Sequence, residues 1–239
     1  MKGEAWQRVM RTIRQSDVVL EVVDARFPER SERLEKEVKK RKKRLILIVN
    51  KIDLVKGGNR LAAKLGGFPF CAKTGYGKQS LMRFLNELAK EKGRDLRVGV
   101  VGMPNVGKSS LINRLKGKRS APTSPVAGFT KGEQWIRISP RILLIDSPGV
   151  IVSKESRDEL VLKDALRVEN LKDPVSTALL LFEKHPWIPR SLGLEKSGEE
   201  ALEEFATKTG KLKKGGEPNV EEAARMILRR WQRGEIKRA

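Results

Sequence analysis

Three short segments hold residue types whose spacing can do phosphate and base chemistry. The first, Arg97–Ser110, reads RVGVVGMPNVGKSS. Here β-branched Val98, Val100 and Val101 lead into Gly102, and Gly107-Lys108-Ser109 completes the pattern G-x-x-x-x-G-K-[ST], with the helix-like SSLINRL behind it. Backbone N–H groups of such a turn and of the helix that follows converge on an anion, and the helix dipole favours negative charge there. Pro104, Asn105, Val106, Gly107 and Ser110 form the loop wall, Lys108 reaches β- and γ-phosphates, and the Ser109 hydroxyl ligates Mg²⁺. The alternative is a glycine-rich turn that binds nothing; the complete pattern and both flanks speak against it.

The second segment is Asn50-Lys51-Ile52-Asp53, N-K-x-D at the end of the apolar run LILIVN. A carboxylate at Asp53 accepts from the N1 and N2 donors of guanine, a pair that adenine lacks. The Lys51 stem packs over the ring and Asn50 ties this loop to the phosphate loop. Cys71-Ala72-Lys73 stands where GTPases commonly carry S-A-K, whose alanine N–H meets the guanine O6. The third segment is Asp146-Ser147-Pro148-Gly149, after RILLID. Asp146 holds Mg²⁺ through water, the Gly149 N–H meets the γ-phosphate, and Thr130, in the loop before, supplies a second hydroxyl to Mg²⁺. Each piece alone has a bland reading as a charged strand end.

These loops need strands to present them. DVVLEVVDA (17–25) and LILIVN (45–50) are near-continuous apolar runs, as parallel strands covered on both faces are. FPFCA (68–72), EQWIRI (133–138) and RILLID (141–146) add three more, the last two joined by a Ser139-Pro140 turn. Helices are expected over 4–16, 31–44, about 60–65 and 80–92, closed by Gly93. Residues 117–132, rich in Pro, Gly, Ser and Thr, read as a mobile loop. From about residue 153 the pattern is helical only, with KLKKGGEP (211–218) as a loop and Asn219 capping 220–232. The expected fold is α/β, a doubly wound, mostly parallel sheet over residues 1–152, followed by a small all-helical domain over 153–239.

The 239 residues carry a formal charge of +21, concentrated in residues 1–150, where 33 Lys and Arg face 14 Asp and Glu. Such a balance implies a polyanionic partner, nucleic acid or an anionic membrane. The run KKRKKR (39–44) is either a solvated helix end or a phosphate contact. A single cysteine, Cys71, excludes a disulfide framework and fits a reducing compartment. With no signal-type or membrane-spanning stretch, a cytoplasmic monomer off the membrane is expected.

The order of the motifs is anomalous. GTPases ordinarily run phosphate loop, switch threonine, D-x-x-G, N-K-x-D, S-A-K; here the last two come first. A parallel sheet permits this, because ligand loops sit at strand carboxyl ends whatever their order along the chain. In this order, in DVVLEVVDAR, in G-x-P-N-V-G-K-S, in A-G-F-T-K-G-x-Q-W (127–135), in D-S-P-G and in the KLKKGGEP tail, the sequence resembles the circularly permuted GTPases of the YlqF/YawG (ribosome biogenesis GTPase A-like) family. The resemblance implies P-loop NTPase architecture in permuted order, GTP hydrolysis to GDP with Lys108, Thr130 and Gly149 at the reacting phosphate, and action in large-subunit ribosome assembly. It also implies ribosomal RNA or pre-ribosomal particles as partners and an RNA-binding helical domain. A guanine-nucleotide-controlled RNA-binding module with incidental hydrolysis is the alternative.

Two departures stand out. Val150 follows D-x-x-G where a Ras-like enzyme has its water-orienting glutamine, and the N-terminal aromatic-Pro-Gly-His motif of bacterial relatives is missing. The single histidine, His185, lies in the helical region and reads as structural. Catalysis then leans on Lys108, Mg²⁺ and backbone donors, with slow turnover. Asn105 matches the asparagine that coordinates K⁺ in potassium-activated relatives, or else only shapes the turn.

Overall fold

Trp6, Val9, Met10 and Ile13 form one stripe of the first helix, α1 (Lys2–Gln15), and that stripe is buried against a sheet. The computed structural model describes residues 2–117, 135–147, 149 and 156–236. Thr130, Val150 and residues 118–132 of the loop expected over 117–132 lie outside them. After α1 the chain runs β1 (Val18–Asp24), α2 (Glu32–Lys40), β2 (Arg44–Asn50), a 3₁₀ turn (Ile52–Leu54), α3 (Gly58–Lys64) and β3 (Phe68–Pro69). It continues as α4 (Lys78–Lys92), β4 (Leu96–Gly102), α5 (Lys108–Lys116), β5 (Trp135–Ser139) and β6 (Ile142–Asp146).

The strands join in the order β3-β2-β1-β4-β6-β5, parallel except for β5, which pairs antiparallel with β6. Leu20, Ile48, Val98, Val100 and Leu144 bury one face against Leu81 and Leu85 of α4 and Leu111 and Leu115 of α5. Val19 and Val101 face α1 and α2, while Val23 and Val49 face α3. Covered on both sides, β1 is buried along its whole length, which is why its sequence does not alternate. Full burial of each such Val, Leu or Ile side chain contributes about 1.5–3 kcal/mol. Gly99 lets α1 approach β4: a Cβ there would stand 2.3 Å from Ser16 Oγ and 2.8 Å from Thr12 Cγ2.

Several boundaries differ from the sequence expectation. The helix expected over 31–44 stops at Lys40; Arg41 N–H caps back onto Val38 and Lys42 turns at φ 51°, so that Arg44 can begin β2. The strand expected over 68–72 keeps two ladder residues, because Pro69 has no N–H to donate. Phe70 N–H still reaches Val49 O at 2.9 Å. The helix expected at 80 starts at Lys78, behind Gly77 at φ 82°.

The chain divides into two compact units, residues 1–153 and 154–239. The second contains α6 (Arg157–Leu162), α7 (Pro174–Lys184), α8 (Ile188–Ser191), α9 (Gly198–Lys208) and α10 (Val220–Gln232). Buried Ile227, Leu228 and Trp231 place α10 at its centre, packed on α7 and α9. Trp231 Nε1–H donates to Leu162 O, and the Gln232 amide donates to Val161 O and Leu166 O, each at 2.8 Å. His185 packs between Trp187 and Trp231, its ring centroid 4.8 Å from that of Trp231, and burial holds its pKa below the ordinary value. Asn219 caps α10 by accepting from Glu222 N–H at 3.1 Å.

Candidate functional site

Because β1, β2, β3, β4 and β6 are parallel, the loops that follow them all open on one edge of the sheet. From β1 the chain winds outward to β3, and from β4 it winds the other way, so the crevice between the loops after β1 and β4 is the switch point. The sequence motifs meet there.

The phosphate loop runs from Gly102 to the start of α5. Two of its glycines are obligatory. Gly102 has φ 149° and a Cβ would lie 2.4 Å from Val22 O; Gly107 has φ 94° and a Cβ would lie 2.3 Å from Asn50 Nδ2. Asn105, also at positive φ (58°), is exposed, a conformation Asn tolerates. Lys108 is only 7% exposed and folds back over the loop, donating to Met103 O at 2.7 Å and Gly102 O at 3.2 Å. Burial depresses its pKa to about 8, opposed by the nearby Asp146 carboxylate. Ser109 Oγ–H donates to Asp146 Oδ2 at 2.9 Å, joining the start of α5 to the end of β6. Gly149 abuts the same loop: a Cβ there would be 2.7 Å from Pro104 N and 3.0 Å from Lys108 Nζ. Val106 is buried and Ser110 is exposed one residue beyond Ser109.

Asn50 couples this loop to the base side. It is 1% exposed; its Nδ2–H donates to Val106 O at 2.8 Å while its Oδ1 accepts from Ala72 N–H at 3.1 Å. The Ala72 N–H therefore points at Asn50, and a ligand oxygen at that place would have to share it. Asp53 lies in the 3₁₀ turn, exposed on a groove of about 460 Å³ that Cys71, Thr74, Tyr76 and Arg60 also line. The buried Cys71 thiol donates to Asp53 Oδ1 at 3.1 Å. Lys73 is exposed, its carbonyl taken by the Arg114 guanidinium, which also donates to Ala72 O at 2.7 Å.

Lys51 sits at φ 60°, and its Nζ pairs with Asp24 Oδ2 at 2.9 Å. Asp24, at the end of β1, also takes the Arg26 backbone N–H at 2.9 Å and its guanidinium at 2.7 Å. Burial by itself would raise this carboxyl's pKa, but Arg26 and Lys51 outweigh it and hold the group below its ordinary value. Sequence reasoning missed Asp24 and Arg26 as site residues. Their signal was a charged pair, DAR, breaking an apolar strand at the same edge as the other motifs. It also missed Ser147, whose buried hydroxyl donates to Val100 O at 2.7 Å and pins the turn after β6 to the strand feeding the phosphate loop.

The site's oxygen donors suit Mg²⁺. Ser109 and Asp146 present a hydroxyl and a carboxylate oxygen to one point, and no cluster of three His, Cys, Asp or Glu occurs among the described residues. A divalent ion held by these two residues would need further ligands from outside the protein, the usual habit of Mg²⁺. The close approach at Gly107 and the buried Lys108 ammonium suit a phosphate chain.

Comparison with known proteins agrees. Residues 97–211 match the family model described as 50S ribosome-binding GTPase. An uncharacterised GTP-binding protein of Methanocaldococcus jannaschii is 38% identical over 95% of this chain and 65% of its own length. Nuclear/nucleolar GTPase 2 of Arabidopsis thaliana is 38% identical over 98% of this chain and 45% of its own. The chain thus spans less than two thirds of these curated relatives. Among solved structures, GDP-bound YlqF from T. maritima superposes with a TM-score of 0.70 at 28% identity, over 96% of both chains. The GNP-bound form gives 0.68 at 28% identity, over 98% of this chain and 96% of that one. With N-K-x-D and C-A-K on strands that precede the phosphate loop, all opening on one edge of a single sheet, the chain belongs to the circularly permuted GTPases of the YlqF type.

Proposed function

We propose that this protein binds GTP and GDP with Mg²⁺, hydrolyses GTP, and acts in assembly of the large ribosomal subunit by binding ribosomal RNA or pre-ribosomal particles. The observation that carries the nucleotide part is Asn50, one side chain that holds the phosphate loop through Val106 and the base loop through Ala72. A phosphate site and a guanine-selective carboxylate locked at fixed separation are what a guanine nucleotide requires. Asp53 selects the base, Lys108 and the α5 N-terminus bind the β- and γ-phosphates, and Ser109 and Asp146 hold Mg²⁺, with Thr130 as its second hydroxyl. When bound at Ser109 and Asp146, Mg²⁺ would supply positive charge to offset what develops on the phosphate during transfer. Gly149, beside Lys108, is the backbone donor aimed at the γ-phosphate.

Hydrolysis is proposed to be slow, because Val150 offers no polar side chain for water, and to be stimulated by K⁺ held at Asn105. The ribosomal part rests on the net charge, on the family model described as 50S ribosome-binding GTPase, and on relatives named nuclear/nucleolar GTPase 2 and nucleolar GTP-binding protein 2. No helix among the described residues is long and apolar enough to cross a membrane, and the single cysteine suits the cytoplasm. Two measurements test the reading: multiple-turnover GTP hydrolysis with and without ribosomal particles, and co-sedimentation of the GTP-analogue form with large subunits. Stimulated turnover with co-sedimentation supports it. Nucleotide-dependent co-sedimentation without turnover supports an RNA-binding module instead, and no co-sedimentation rejects the ribosomal role.

A further inference from the structure

In a doubly wound sheet the helices return to the strand N-termini, so their C-terminal ends collect on the edge opposite the nucleotide site. That edge here is densely basic. It receives the last turn of α1 with Arg14, the end of α2 with Lys39 and Lys40, the turn with Lys42, the end of α4 with Lys90, and the β5–β6 hairpin with Arg141. All six are exposed and have no carboxylate partner among the described residues. Register fixes their neighbourhood, since Val18 pairs with Arg44 on one side and Val98 on the other, and Leu96 N–H donates to Arg141 O at 2.8 Å.

The carboxylates at this edge are mostly already neutralised. Asp17 is bound by Lys92 and by Arg94 at 3.2 Å, and accepts the Arg97 N–H at 2.9 Å. Asp95 pairs with Arg137 at 2.8 Å and Glu37 with Arg41, while Glu91 is exposed and has no cationic partner among the described residues. Lys43 is likewise occupied, donating to Arg14 O at 2.5 Å and to Ser16 O. So the run at 39–44 splits: Arg41 and Lys43 hold the fold, while Lys39, Lys40 and Lys42 face outward.

Basic residues near helix C-termini complement the dipole. That accounts for Lys39, Lys40 and Lys90, but not for Lys42 in a turn or Arg141 in a hairpin. We infer that this strand-N-terminal edge of the GTPase unit is a docking surface for the phosphate backbone of RNA, built on the end of the sheet away from the nucleotide. The inference deepens the ribosomal reading and rests on it for the choice of polyanion. A membrane surface fits less well, because among the described residues of the GTPase unit the large exposed hydrophobic is Tyr76, which lines the groove beside Asp53 on the nucleotide edge. A protein partner would ask for aromatic or Met residues at the centre of the patch, and the charged residues that face outward here are, apart from Glu91, lysine and arginine.

The test is the full chain against a mixed-sequence RNA duplex at a series of KCl concentrations, wild type beside the triple variant Lys39→Gln, Lys40→Gln, Lys90→Gln. If each lysine neutralises one phosphate, the slope of log affinity against log salt falls by about two to three, and affinity near 0.1 M salt drops on the order of 100-fold. Fluorescent GDP binding stays unchanged, and the loss is equal with GDP or a GTP analogue. An unchanged slope overturns the proposal, as does a drop in melting temperature with RNA affinity intact, which would assign the lysines to the helix ends. Binding to phosphatidylserine vesicles without RNA binding also overturns it. GDP binding keeps the outcomes separate: wild type that binds RNA with this slope but no guanine nucleotide sinks the GTPase reading alone, while the reverse sinks the docking surface alone.

Discussion

Arg114 Nε lies 2.7 Å from Ala72 O, 42 residues earlier in the chain. The helix that begins at the phosphate loop therefore also holds the base loop, and the Arg114 stem lies against Gly75, where a Cβ would come 3.4 Å from Arg114 Cδ. Charged hydrogen bonds of this type contribute about 1.5–3 kcal/mol when well formed, less at a half-exposed site. Arg114→Ala is expected to weaken GDP binding about tenfold, with melting temperature little changed, and Arg114→Lys to recover only part, since an ammonium cannot reach both carbonyls in a fixed fork. Calorimetric titration of both variants with GDP checks this.

Asp53→Asn replaces an acceptor by an amide, leaving guanine donors poorly paired at a cost of about 1–3 kcal/mol. GTP and GDP affinity should fall and xanthine nucleotides should gain relative to them. Unchanged GTP affinity rules out the base assignment. Because the Cys71 thiol is a weak donor to Asp53, Cys71→Ser should preserve guanine preference, whereas Cys71→Val should reduce it.

Lys108 must be protonated to bind phosphate. Its pKa in the free protein is about 8 because burial disfavours the charge, and a bound phosphate raises it again. The sign follows from linkage: below pH 8 the ammonium is already present and GDP affinity is flat, and above it each bound nucleotide must recruit a proton, so affinity falls with rising pH. Binding at pH 9 should be accompanied by proton uptake, visible as a buffer-dependent enthalpy. Flat affinity from pH 7 to 10 contradicts the buried-lysine arrangement.

Asp24→Asn leaves the Arg26 guanidinium without its buried counter-charge; Arg26 is 4% exposed in the side chain and Asp24 3%. Removing one partner of a buried pair typically costs about 3–5 kcal/mol. Urea unfolding should show that loss, and Lys51, freed from Asp24, should reduce GDP affinity as well.

Trp231→Phe keeps an aromatic ring but is smaller than the indole and strands Leu162 O, now satisfied at 2.8 Å. The expected loss is about 1–3 kcal/mol, confined to the helical unit. Thermal unfolding should shift while GDP affinity stays put.

Much of this protein is written locally. Gly102, Gly107 and Lys108 announce an anion-binding turn because only that backbone needs those residues in that spacing, and near-continuous apolar runs such as Val18–Val23, interrupted only by Glu21, identify strands covered on both faces. The permuted order of N-K-x-D and phosphate loop is a property of the chain alone. Boundaries were less legible where backbone geometry intervened, as at Lys42 and Pro69. Partnerships were not legible at all. That Asp24 ties Arg26 to Lys51, that Ser147 locks onto Val100, and that Arg114 braces Ala72 depends on which loops the parallel sheet brings to one edge. The same holds for charge. The sequence states a net of +21, but the tertiary structure decides which cations are used, sending Lys43 to a helix end and Arg229 to Glu169 and Glu222, and leaving Lys39 and Lys40 outward. The reason is physical: a lysine's reach and partners are set by neighbours distant in sequence, and only the folded sheet supplies them.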